Sequence, residues 1–215
     1  RYDGRGFGLS DRDVTDFSLD ARVRDVEAVV DALGAERFAL YALSAGGPIG
    51  VAYAVRHPGR VSRLVLAATW ASTDTEQSRM IRDLFEFAGA NWETPAARAS
   101  LVEFLAPEAS DVERRVLMHF LQVSGDGPQF LGFIRSRLDI DVTEQARRIR
   151  IPTLVVASDA DTTVRLPTSR RLASLIPGAR FEIIEGAGHR GAAFNDPRVM
   201  RLVSDFLAED AGGTQ

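Results

Sequence analysis

Three residues have the chemical types of a nucleophile, a base and an acid, and each stands just beyond a strand-like run: Ser44 after residues 38–42, Asp161 after 151–157, and His189 after 180–185. A serine hydroxyl is a poor nucleophile until an imidazole takes its proton, so His189 reads as the general base. The imidazole needs a carboxylate on its other nitrogen to hold its tautomer and to stabilise the imidazolium, the role that falls to Asp161. Each residue also has a plainer reading. A serine before a helix is commonly an N-cap, and an aspartate in Asp159-Ala-Asp-Thr-Thr163 is commonly a turn residue. A histidine in Gly186-Ala-Gly-His189 can be a satisfied loop residue. The joint placement carries the weight. Sites in open α/β sheets form outside the carboxyl ends of strands, and Ser, Asp, His is the chain order of triads built on a nucleophile elbow. Asp159 competes for the acid role, and Asp74 is a weaker third candidate. Asp161 is preferred because Val164, three residues on, suits a loop that turns back toward a core.

Around Ser44 the residues are small: Ala42, Ala45, Gly46 and Gly47. A strand that turns sharply into a helix strains its corner residue, and small neighbours at −2 and +2 let strand and helix pass closely. Such a corner exposes the serine hydroxyl and aims the first helical N–H groups, here that of Ala45, at a developing oxyanion. The sequence matches Gly-x-Ser-x-Gly except that Ala42 stands at the first glycine.

The elements that position these residues alternate. Residues 1–16 read as a glycine-punctuated loop, followed by a helix over 19–33 with Ser18 as N-cap and Gly34 as its stop. Strand 38–42, a helix from the Ser44 corner to Arg56, and strand 61–68 come next. From 71 to 150 the pattern becomes helical, over 76–90, 94–105, 110–123 and 127–137. Strand 151–157, helix 167–176, strand 180–185 and helix 197–207 then resume the alternation, before a frayed tail over 209–215. The expectation is an α/β fold, a mostly parallel sheet flanked by helices, with 1–70 and 151–215 as its two parts and 71–150 as an inserted helical cap. Trp70, Phe85, Phe87 and Phe120 are the candidate apolar lining for substrate.

Composition narrows the function classes. The chain has 215 residues, 45% apolar and 26% charged, which suits an ordinary globular core. A net charge of −4 with both signs interspersed argues against nucleic acid or an anionic membrane as partner. Zero cysteines exclude disulfides and thiol chemistry and fit a reducing cytoplasm, the expected location. No apolar run approaches the ~18 residues of a membrane-spanning helix, and the first residues do not read as a signal peptide. No His/Asp/Glu cluster has metal-ligand spacing, and Gly4-x-Gly6-x-Gly8 follows no strand, so neither metal nor phosphate-bearing cofactor is expected. His57 reads as a helix-end residue and His119 as a packing or surface residue of the helical insertion.

Arg1-Tyr-Asp-Gly-Arg-Gly-Phe-Gly-Leu-Ser10 resembles the Asp-x-Arg-Gly-x-Gly-x-Ser segment of the α/β-hydrolase fold family. Ala42-Leu-Ser-Ala-Gly46, the Arg-His-Pro-x-Arg-Val stretch at 56–61, Asp161-Thr-Thr-Val164 and Gly186-Ala-Gly-His189 are similar to further segments of that family. The phrasing of residues 1–68 is especially similar to hydrolase-like domains fused to bacterial adenylate cyclases and LuxR-type regulators. The resemblance implies a serine hydrolase acting on a small-molecule carboxylic ester, with Ser44 as nucleophile, Asp161 as acid, His189 as base and Ala45 as an oxyanion donor. The serine argues against dehalogenase or epoxide-hydrolase chemistry, which uses an aspartate there. The alternative is a ligand-sensing or regulatory module that keeps the fold without turnover. The family also carries strands and a second oxyanion donor ahead of the Asp-x-Arg-Gly segment. The expectation is therefore an incomplete chain whose strand at 38–42 lacks a neighbour on one side, to be paired with a missing N-terminal segment or another subunit.

Overall fold

The computed structural model describes residues 2–73 and 75–209, apart from the side chains of 75–79 and 194–195. Asp74, the third candidate acid, and residues 210–215 of the expected tail lie outside the described residues. In chain order the elements are α1 (Leu19–Ala32), β1 (Phe38–Leu43), α2 (Gly47–Arg56), β2 (Val61–Ala67), α3 (Thr75–Ala90), α4 (Pro95–Leu105), α5 (Asp111–Ser124) and α6 (Gly127–Leu138). Then come α7 (Thr143–Arg147), β3 (Thr153–Ala157), α8 (Leu166–Leu175), β4 (Arg180–Ile183), the short α9 (Gly188–Arg190) and α10 (Pro197–Ala208). They form two compact units, Arg1–Ala35 with Ser72–Val142 and Glu36–Ala71 with Thr143–Gln215.

The second unit holds a four-stranded sheet, all parallel, in the order β1-β2-β3-β4. β3 is buried throughout and β2 nearly so, which is why both read as unbroken apolar runs rather than alternating ones. Side chains of one face, including Val65, Ala67, Leu154 and Val156, pack on Val199, Val203 and Phe206 of α10. The other face presents Leu40, Ala42 and Leu64 to α2 at Gly50. β1 pairs only with β2 among the described residues, and its exposure is mixed, with Ala39 and Leu43 exposed.

The first unit joins two stretches that are distant in the chain. Residues 2–35 group with the helical insertion rather than with the sheet, because their side chains are committed there. The rings of Phe7 and Phe133 meet edge to face at 5.5 Å, and Ser136 donates to the Phe17 carbonyl at 2.6 Å. Arg12 donates to the Val123 carbonyl at 2.7 Å, and the Gly8 N–H to that of Ser124 at 2.7 Å. Arg5 forks onto the Asp25 carboxylate of α1 through two bonds of 2.7 and 2.6 Å. Ser18 caps α1 as expected, accepting from the Ala21 N–H at 3.2 Å. The unit's own core gathers Ile81, Phe85, Trp92, Leu101, Phe130 and Ile134. The four expected insertion helices appear as α3 to α6; α7 was not expected. Among the described residues no helix is long and apolar enough to cross a membrane, and no group of three or more His, Asp or Glu could hold a metal ion.

Candidate active site

β1 ends at Leu43 in extended geometry, and Ser44 then takes a left-handed backbone with φ of 46°. A side-chain-bearing residue pays roughly 1–2 kcal/mol there, so the surroundings must hold it. The chain does not enter the helix at once, as the sequence suggested, but passes through a 3₁₀ turn over Ser44–Gly46 before α2. The close approaches also fall elsewhere than at +2. A Cβ on Gly46 would meet nothing within 4 Å. One on Gly47 would collide with the Thr69 side chain, and one on Gly50 would stand 2.6 Å from the Ala42 Cβ. Gly50 therefore supplies the room that a glycine at position 42 would otherwise give, which explains how the corner accommodates Ala42. Gly46→Ala is expected to leave stability within about 0.5 kcal/mol, whereas Gly47→Ala and Gly50→Ala each cost about 1–3 kcal/mol by overpacking. Urea unfolding of the three variants checks this, and an equal loss at Gly46 would contradict it.

The two aspartates of the loop after β3 make different contacts. Asp161 is buried; its Oδ1 accepts the N–H groups of Thr163 and Val164, both at 2.8 Å, and its Oδ2 faces His189 Nδ1 at 2.8 Å. Backbone donors thus fix the carboxylate and leave its second oxygen for the imidazole. Asp159 is exposed and turns the other way: its Oδ1 accepts the Gly186 N–H at 2.8 Å. Ser158 Oγ accepts from Ala160 and Ala187, each at 3.1 Å. Asp159 and Ser158 staple the loop that carries His189.

His189 Nε2 lies 3.1 Å from Ser44 Oγ. An ionised carboxylate only accepts, so Nδ1 carries the proton toward Asp161 and Nε2 is the acceptor for the serine hydroxyl. The His189 ring sits on α9, between Gly188 with φ of 58° and a π-helical turn over Gly191–Asn195. Tyr41 of β1 donates its hydroxyl to the Ala193 carbonyl in that turn. Burial pushes the Tyr41 hydroxyl up to about 12, so it remains a donor at ordinary pH. Tyr41, Ser158, Thr69 and Ser169 were not singled out from the sequence. For Ser158 a signal exists, since it directly follows the last residue of a strand.

Ser44, Asp161, His189 and Trp70 belong to the second unit; Phe85, Phe87 and Phe120 belong to the first. The structure brings the first three together. Trp70 is 3% exposed, just past the end of β2. Phe85 is 2% exposed and packs within its own unit's core, edge to face with Phe104 and Phe130 and under the Arg137 guanidinium. Phe87 and Phe120 are exposed. His57 follows the last residue of α2, its ring tilted against that of Tyr53 with centroids 4.7 Å apart, and His119 is exposed on α5.

Comparison with known proteins bears on the family and the fold. The family model described as "alpha/beta hydrolase fold" matches residues 1–196. A protein named as the carbamate hydrolase RutD of Caulobacter sp. (strain K31) is 31% identical over 219 residues, covering 98% of this chain and 80% of that protein. The 3-oxoadipate enol-lactonase 2 of Acinetobacter baylyi is 26% identical over 191 residues, covering 86% of this chain and 70% of that protein. Among solved structures, the enol-lactonase from Burkholderia xenovorans LB400 is 26% identical with a TM-score of 0.85, covering 97% of this chain and 80% of that one.

Proposed function

The chain belongs to the alpha/beta hydrolase fold family, and from that premise we propose that it is a serine hydrolase of carboxylic esters working through an acyl-enzyme. One observation carries this reading: an unbroken line of hydrogen bonds from the buried Asp161 carboxylate, through His189, to Ser44 on a strained corner. Ser44 Oγ attacks the acyl carbonyl carbon while its proton passes to His189 Nε2. Asp161 stabilises the imidazolium through Nδ1–H and is not itself protonated. The carbonyl oxygen becomes an oxyanion to which the Ala45 N–H donates a hydrogen bond. When the tetrahedral intermediate collapses, the acyl–oxygen bond breaks and the alcohol leaves with the proton from Nε2. A water molecule then gives a proton to Nε2 and attacks the acyl carbon, and a second collapse returns that proton to Ser44 Oγ and frees the acid.

The names carried by the relatives, a carbamate hydrolase and enol-lactonases, support substrates whose carbonyl carbon bears an oxygen substituent. Within that class we assign acyl groups of small or medium size and apolar character, with Trp70, just past the end of β2, as the residue to vary. The experiment is a p-nitrophenyl ester series from acetate to decanoate, run beside an enol-lactone and an aryl carbamate, with a fluorophosphonate probe for the nucleophile. Turnover falling with acyl length beyond the medium chains, and probe labelling at Ser44, are the expected results. No turnover and no labelling would favour the ligand-sensing module instead.

A further inference from the structure

We propose that Thr69 is a positioning residue for this reaction: through its hydroxyl it sets the direction of the Ala45 N–H that meets the oxyanion. The inference rests on the serine-hydrolase reading and concerns a residue that is not itself a member of the Asp161–His189–Ser44 line.

Two described non-glycine residues have left-handed backbones, Ser44 with φ of 46° and Ala68 with φ of 48°. The register pairs Leu43 with Ala67 at the ends of β1 and β2, so these two residues leave the sheet side by side. Left-handed backbone in neighbouring non-glycine residues persists only where the surroundings over-determine it, and Thr69 is the group that does so. It is fully buried, and its hydroxyl donates to the Ser44 carbonyl at 2.7 Å. The same carbonyl accepts the Gly47 N–H, so both its lone pairs are engaged. Thr69 is itself anchored, because Ser169 of α8, also fully buried, donates its hydroxyl to the Thr69 carbonyl at 2.9 Å. Gly47 carries no side chain where the Thr69 side chain lies. Ala68 is tied as well: its N–H reaches the Val156 carbonyl at 2.9 Å, and its methyl packs on Ala192 and Ala193 in the turn after His189.

The chemical consequence follows from peptide geometry. In a trans peptide the C=O and the following N–H lie in one plane and point in opposite directions. The Ser44 carbonyl and the Ala45 N–H belong to the same peptide unit. Holding the carbonyl oxygen toward Thr69 therefore holds the Ala45 N–H away from it, and Thr69 acts as the rudder of the oxyanion donor. Because negative charge on the carbonyl oxygen develops only in the transition state, an error in that direction slows the chemical step without weakening ground-state binding.

The test compares Thr69→Val, which keeps the shape and removes the hydroxyl, with Thr69→Ser, which keeps the hydroxyl. For p-nitrophenyl butyrate, Thr69→Val is expected to lower kcat by about 10- to 100-fold, with KM within about 2-fold. Fluorophosphonate labelling of Ser44 should slow in parallel, and Thr69→Ser should restore most of the rate. A wild-type kcat in Thr69→Val overturns the proposal, as does a Thr69→Ser variant as slow as Thr69→Val. If Thr69→Val does not fold, Ser169→Ala decides, since it removes the anchor alone: a drop of several-fold in kcat supports the proposal and an unchanged kcat overturns it. Failure of the underlying reading looks different, because Ser44→Ala would then keep the wild-type rate or Ser44 would go unlabelled in the wild-type protein.

Discussion

Ser44→Ala is expected to lower ester turnover by about 10⁴-fold or more while the protein stays folded. The magnitude follows from losing the nucleophile of a hydrogen-bonded unit whose members act together. The fold should survive because the hydroxyl's hydrogen bond is to His189, and the positive φ at position 44 is held by the carbonyl's bonds to Thr69 and Gly47, which alanine keeps. Thermal unfolding beside steady-state kinetics separates the two effects. A variant that melts with the wild type yet hydrolyses nothing is the expected result. One that retains a tenth of the wild-type rate would remove Ser44 from the chemistry.

Asp161→Asn should cost about 10³- to 10⁴-fold in kcat. The asparagine Oδ1 can still accept the Thr163 and Val164 N–H groups, so the loop keeps its shape. Its amide then presents N–H donors to His189 Nδ1, which must accept and lose its proton. The other ring nitrogen becomes N–H and no longer accepts from Ser44. Asp159→Asn is the control, because the bond from the Gly186 N–H to Oδ1 survives that substitution. It should change kcat by a few-fold at most. The opposite ranking of the two variants would give the acid role to Asp159.

Much of this site is legible in the sequence, for a physical reason. Each of Ser44, Asp161 and His189 follows a strand of a parallel sheet; β3, before Asp161, is buried throughout and reads as an unbroken apolar run, whereas β1 and β4 are only partly buried. The turn chemistry of Asp161 and the glycines before His189 mark the loops that carry them. Thr69 and Ser169 leave no such mark. They are ordinary hydroxyl residues whose partners lie 25 and 100 positions away and are set by strand register and helix docking. The same holds for residues 2–35. Arg12 and Val123 are 111 positions apart, and no local pattern announces that the first helix packs with the insertion. Ala42 shows the converse. Read alone it weakens the elbow motif, yet Gly50 on the facing helix gives back the space.

The most direct measurement of the central claim is peptide mass spectrometry on wild-type protein quenched during turnover of p-nitrophenyl butyrate. The predicted result is a butyryl group on the peptide containing Ser44, appearing within the first turnover, enriched in Asp161→Asn if deacylation slows more than acylation, and absent in Ser44→Ala. Steady release of p-nitrophenol with Ser44 unmodified, or with the acyl group on another residue, would contradict it.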